Sequence, residues 1–116
     1  MSTITVTNIK ATGETASRSV SGVAAAWCNV NTATETIRDS LNISSITDGG
    51  VGIVTATITN AMGNADFAMA GSMSTSRYNY SVSILTTSTF KMSVRNDAAT
   101  FVDNGQVSGI SYGDLA

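Results

Sequence analysis

Ile37 to Thr59 reads IRDSLNISSITDGGVGIVTATIT, two runs rich in β-branched residues on either side of Asp48-Gly49-Gly50-Val51-Gly52. The spacing predicts a β-hairpin. Its first arm puts Leu41 and Ile43 on one face by period-2 alternation, and its second puts Val54, Ala56 and Ile58 opposite Thr55, Thr57 and Thr59. The glycines supply positions able to take positive φ, and Asp48 can bond its own backbone. Ile46 falls out of phase with Leu41 and Ile43, and a bulge near Ser44-Ser45 would bring it back.

The same alternation recurs outward from this stretch. Upstream, Val23 to Val30 (VAAAWCNV) reads as a strand, with Val23, Ala25 and Trp27 on one face and Ala24, Ala26, Cys28 and Val30 on the other. Trp27 is expected to be a buried core anchor, with the truncation cost of roughly 3 to 5 kcal/mol that such residues show. Downstream, the turn cluster Asn60 to Ala65 precedes a strand from Asp66 to Met73. The next runs from Tyr78 to Thr86, with Tyr78, Tyr80, Val82 and Ile84 on one face. Thr89 to Arg95 then alternates Phe90, Met92 and Val94 with Lys91, Ser93 and Arg95. Phe101-Val102, a turn at Asp103-Asn104-Gly105 and a last strand from Gln106 to Tyr112 complete the chain. Seven or eight short strands with regular turn signals predict an all-β, single antiparallel β-sandwich, jelly-roll-like, over residues 21–116. Residues 1–20 hold only Ile4, Val6 and Ile9 as large apolar residues before turning polar, and are expected to form an extended N-terminal arm.

The 116 residues fit one domain. Only 12% are charged, against a typical ~25%, while 42% are hydrophobic and Ser and Thr together exceed a quarter. So neutral a surface predicts that apolar area is covered by copies of the chain or by a partner. A net charge of −2 with six scattered Lys and Arg argues against nucleic acid binding. No apolar run approaches the ~20 residues of a membrane span, and the start MSTITVTNIK lacks a signal peptide's apolar region, so synthesis in the cytoplasm is expected.

Little here points to catalysis. Histidine is absent, which removes the commonest general base and a preferred metal ligand. Cys28, the single cysteine, lies beside Trp27 in an apolar strand and reads as a buried, inert thiol. Glu14, Glu35, Asp39, Asp48, Asp66, Asp97, Asp103 and Asp114 fall mostly at turns or in the arm, where turn chemistry accounts for them. No EF-hand spacing occurs, and Arg38-Asp39 reads as a solvated turn pair. Arg77-Tyr78-Asn79-Tyr80 offers the residue types of a glycan-contact surface, although the tyrosines keep phase with Val82 and Ile84 and so read first as packing residues. Neither an enzyme nor a cofactor is expected.

Ser21 to Asn31 (SGVAAAWCNVN), Ile37 to Gly52 (IRDSLNISSITDGGVG) and Thr59 to Gly71 (TNAMGNADFAMAG), with the lead-in Ala11 to Ala24, resemble a module of tailed-phage virion proteins found at the distal ends of tail fibres and tailspikes. The chain departs from that pattern at Cys28, Val30, Ile53-Val54 and Gly63. The resemblance implies a homotrimeric β-sandwich assembled into a virion, with no catalytic residues to carry over. A small chain without a shaft or attachment domain is expected to act as a capsid decoration (cement) protein. Its partners would be itself and the major capsid protein, and Ile4, Val6 and Ile9 would anchor the arm. The alternative is a short tail-fibre protein held by tail or baseplate proteins and touching host surface glycans through Arg77 to Tyr80.

Overall fold

Alternating side chains on eight of the strands build two four-stranded antiparallel sheets that share one apolar core. The computed structural model describes residues 1–9, 12–13, 15–16, 18–75 and 78–116. In chain order the strands are β1 (Asn8–Ile9), β2 (Arg18–Ser19), β3 (Ala24–Asn31), β4 (Thr36–Leu41), β5 (Ile43–Asp48), β6 (Ile53–Ile58), β7 (Ala68–Met73), β8 (Asn79–Thr86), β9 (Thr89–Arg95) and β10 (Val107–Tyr112). The first sheet runs β4-β3-β10-β7 and the second β5-β6-β9-β8. β3–β4, β5–β6 and β8–β9 are hairpins within a sheet, and the remaining connections after β4, β6, β7 and β9 cross between sheets.

The core is what the alternation requires. Ala26, Cys28, Val30 and Val107 from the first sheet meet Val54, Ala56, Ile58, Phe90, Met92 and Val94 from the second, all buried. Each large apolar side chain removed from water in this way contributes roughly 1.5 to 3 kcal/mol. The division of size is uneven: β3 and β10 bring small residues, and a side chain at Gly109 would meet Met92 and Phe90 at 3.0 Å. The large residues opposite β3 and β10 therefore come from the second sheet, while the edge strands β4 and β7 of the first sheet add Ile37, Met69 and Met73 at its margins.

That division corrects the expectation for Trp27. The core face of β3 is the one with Ala26, Cys28 and Val30, so Trp27 lies on the outer face and is half-buried. Phe90, Met92 and Tyr80 already fill the space between the sheets, and an indole would not fit there.

The predicted hairpin is shorter than its sequence. β5 and β6 form it, joined through Asp48 to Gly52. Gly50 (φ 99°) and Gly52 (φ 69°) take the left-handed conformations, and the Gly50 N–H donates to Asp48 Oδ1 at 2.6 Å. A register shift between Ile43 and Ser45 leaves Ser44 unpaired, and Ile46 thereby packs toward the core, as the out-of-phase spacing implied. Leu41 and Ile43, however, belong to different sheets. Asn42 between them has φ 58° and turns the chain from one layer to the other, so Leu41 is left exposed while Ile43 packs inward.

Within residues 1–20, Asn8–Ile9 pairs antiparallel with Arg18–Ser19, so this stretch doubles back on itself. Met1 to Val6 carry no regular structure and are exposed.

Candidate functional site

The outer faces of the two sheets differ in chemistry. On the second sheet, Ser45, Thr47, Thr55, Thr57, Ser81, Ser83, Thr89 and Ser93 face outward by strand parity. Their hydroxyls pair laterally, with Ser81 Oγ and Ser93 Oγ 2.7 Å apart and Thr86 Oγ1 and Thr89 Oγ1 2.8 Å apart. Lys91 faces outward with them, and Ile53 is an apolar exception on a face that is otherwise largely polar.

The first sheet is the opposite. Register places Leu41 beside Trp27, Trp27 beside Ile110 and Ile110 beside Ala70, one apolar row across all four strands. Leu41 is 49% exposed, Ala70 is exposed, and Trp27 and Ile110 are half-buried. Tyr112 and Ala68 add a partial second row beside it, and both are exposed. On the other side lies a polar row, Asp39, Asn29, Ser108 and Ser72, in which Ser72 Oγ and Ser108 Oγ lie 3.0 Å apart and Asn29 Oδ1 is buried without a partner. Contiguous apolar area with a polar border is the usual look of an interaction surface.

An open apolar groove of about 520 Å³ lies beside the N-terminal segment, between the start of β3 and the residues that follow β10. Val6, Val20, Val23, Ala25 and Leu115 are among its lining residues. Of the three anchor candidates, Ile4 is 85% exposed, Val6 48% and Ile9 39%. Val6 alone of the three lines the groove, while Ile9 sits in β1.

The described glycan-contact candidates, Tyr78, Asn79 and Tyr80, do not share one exposed surface. Arg77 lies outside the described residues, Asn79 is exposed on β8, and Tyr78 is half-buried against the core. Tyr80 sends its hydroxyl inward beneath Gly71, where it is buried with no hydrogen-bond partner, and burial raises its pKa. A sugar has no access to that hydroxyl.

The remaining polar groups serve turns. Asp48 accepts from Gly50, Asp103 Oδ1 accepts from the Gly52 N–H at 2.7 Å, and Asp39 Oδ1 accepts from the Ser40 N–H at 2.8 Å. Glu35 sits close enough to Asp48, and then Asp103, for their charges to raise its pKa. Among the described residues no group of three or more His, Cys, Asp or Glu is placed to hold a metal ion, and no helix is long and apolar enough to cross a membrane. Cys28 is fully buried; burial, partly offset by a hydrogen bond with the Gly109 backbone, pushes its thiol up to about 11. At neutral pH it is a protonated packing group, not a nucleophile.

Sequence reading missed the apolar row because its members come from four strands. Trp27, Leu41, Ile110 and Ala70 are linked only by the register. Comparison with protein-family models, with curated proteins and with solved structures finds no match to this chain.

Proposed function

We propose that this chain is a structural protein of a phage virion, a homotrimeric capsid decoration protein that reinforces the head surface. The observation that carries the self-associating part is the uncovered row Leu41–Trp27–Ile110–Ala70, set on one sheet while the other outer face is largely polar and hydroxylated. The phage setting rests on the resemblance of Ser21–Asn31, Ile37–Gly52 and Thr59–Gly71. Those segments contain β3, nearly all of β4 and four residues of β7, strands of the sheet that bears the apolar row, together with β5 of the other sheet.

The mechanism is mechanical. A trimer seated on several coat subunits multiplies weak contacts into avidity, since ring closure presents identical surfaces at once. The exposed Ile4, Val6 and Ile9 are the side chains available to anchor the arm, on the shell or on a neighbouring chain of the trimer. A short tail-fibre protein touching host glycans through Arg77 to Tyr80 is the other reading of the same resemblance, and the buried Tyr80 hydroxyl is one group of that set that faces away from solvent.

Copy number in purified particles tests the proposal. Hundreds of chains per particle, lost from heads but not tails when residues 2–9 are deleted, is the expected result. A few chains per particle located on tails would overturn the head assignment, and no chains in particles would overturn the virion reading altogether.

A further inference from the structure

We infer that residues Ser2 to Val6 of one copy add as a fifth strand to the β7 edge of a second copy, antiparallel, with Ile4 opposite Ala70. This deepens the assembly reading above and rests on its claim of self-association. Two observations meet here, one on the acceptor and one on the donor.

The acceptor is found by comparing the four edge strands. Natural sheets guard their edges with charges, prolines or bulges, because an edge offers unpaired N–H and C=O groups to any passing strand. β4 is bulged against β3 and carries Arg38 and Asp39; β5 is bulged at Ser44 and ends in Asp48; β8 is bulged near Leu85. β7 has none of these. Its six residues, AMAGSM, pair with β10 from Ala68–Tyr112 to Met73–Val107 without a register shift, and they include no charge and no proline. Among the described residues it is the one edge of the two sheets with neither a charge nor a register shift anywhere along its length, and it borders the apolar row at Ala70.

The donor is Thr3-Ile4-Thr5-Val6-Thr7, five β-branched residues in succession. No other stretch of the chain has five β-branched residues in succession, a composition that favours extended, paired backbone. Yet Met1 to Val6 have no strand partner, and Ile4 is 85% exposed. Thr7 marks the root of the segment, its carbonyl accepting from the Val20 N–H at 3.1 Å.

The periods match. On β7, Ala68, Ala70 and Ser72 face outward and Met69 and Met73 pack inward. An antiparallel strand with its even residues outward sets Ser2 beside Ser72, Ile4 beside Ala70 and Val6 beside Ala68. Ile4 then extends the row Leu41–Trp27–Ile110–Ala70 by one strand and covers part of it, while Thr3 and Thr5 face the sandwich rim. A donor and an acceptor at different places on each chain make a head-to-tail contact, which closes into a ring of three if the rotation permits.

Cysteine cross-linking in the intact chain tests the contact, because buried Cys28 stays out of the exchange. Chains carrying Ile4→Cys are mixed with chains carrying Ala70→Cys and oxidised; opposed residues of an antiparallel pair lie within disulfide reach. The expected result is a linked pair well above either variant alone, and little linkage when Thr5→Cys replaces Ile4→Cys, since residue 5 faces the other side. Ala70→Lys, a charge on an exposed edge position, should dissociate the assembly with unchanged circular dichroism. Equal linkage by residues 4 and 5, or linkage confined to a single chain carrying both cysteines, would overturn the inference. Absence of linkage from a protein that light scattering shows to be trimeric would also overturn it while leaving self-association standing. A protein monomeric at every concentration would remove both.

Discussion

Tyr80 and Gly71 show how single residues fix the spacing between the layers. A Cβ at Gly71 would collide with the Tyr80 hydroxyl and the Ser108 carbonyl, so glycine is required by close approach. The hydroxyl itself has no partner, and a buried unpaired polar group costs free energy. Tyr80→Phe should therefore leave stability unchanged or raise it by about 1 kcal/mol, and Gly71→Ala should lower it by roughly 1 to 3 kcal/mol. Urea unfolding midpoints of the two variants check both signs. Cys28 gives a pH test. Its thiol has a folded pKa raised from 9.0 to about 11, so the folded state holds its proton after the unfolded chain has lost it. Its contribution is complete below pH 9 and is lost as pH rises toward 11, at up to roughly 1.4 kcal/mol per pH unit. Tyr80, also raised by burial, adds to the loss at higher pH. Unfolding midpoints measured from pH 8 to 10.5 should fall for the native chain and fall less steeply for Cys28→Ala.

At the scale of elements, Asn42 decides how the central stretch is used. Its left-handed backbone ends β4, and its side chain joins the layers: Nδ2 donates to the Ala25 carbonyl at 3.1 Å and the Asn60 carbonyl at 3.2 Å, and Oδ1 accepts from the Asn60 N–H at 2.8 Å. Asn42→Ala loses these bonds and forces a Cβ residue without local compensation into positive φ, so a loss of roughly 2 to 4 kcal/mol is expected by thermal or urea unfolding. Asn42→Gly should recover the backbone part alone. Much of this level was legible. The strands from β5 to β10, the bulge before Ile46 and the turn roles of Asp48 and Asp103 follow from local alternation and turn chemistry. The break at Asn42 was not, because Leu41-Asn42-Ile43 is compatible with one continuous strand and only pairing partners far along the chain divide it. Asn104 was missed for a similar reason. It reads as an exposed turn, yet it is buried, exchanging bonds with Thr32 and accepting from Ser74 Oγ at 2.9 Å, which ties three loops together.

For the molecule as a whole, the contrast between its two outer faces matters most. The inversion of Trp27 from core to surface belongs to this scale: parity along β3 allowed either face, and the choice was made by the size of Phe90, Met92 and Tyr80 on the opposite sheet. Trp27→Ala should consequently cost the isolated fold only about 1 to 2 kcal/mol, well below a core aromatic, and should weaken association much more. Trp27 is the only tryptophan, so its emission reports directly on the row it occupies. Fluorescence of the native chain across a wide dilution series is the most direct test of the claim that this face is covered by assembly. Emission that is blue-shifted at high concentration and moves red on dilution, in step with a fall in mass by light scattering, is the predicted result. Emission that holds the same half-exposed position at every concentration would contradict it.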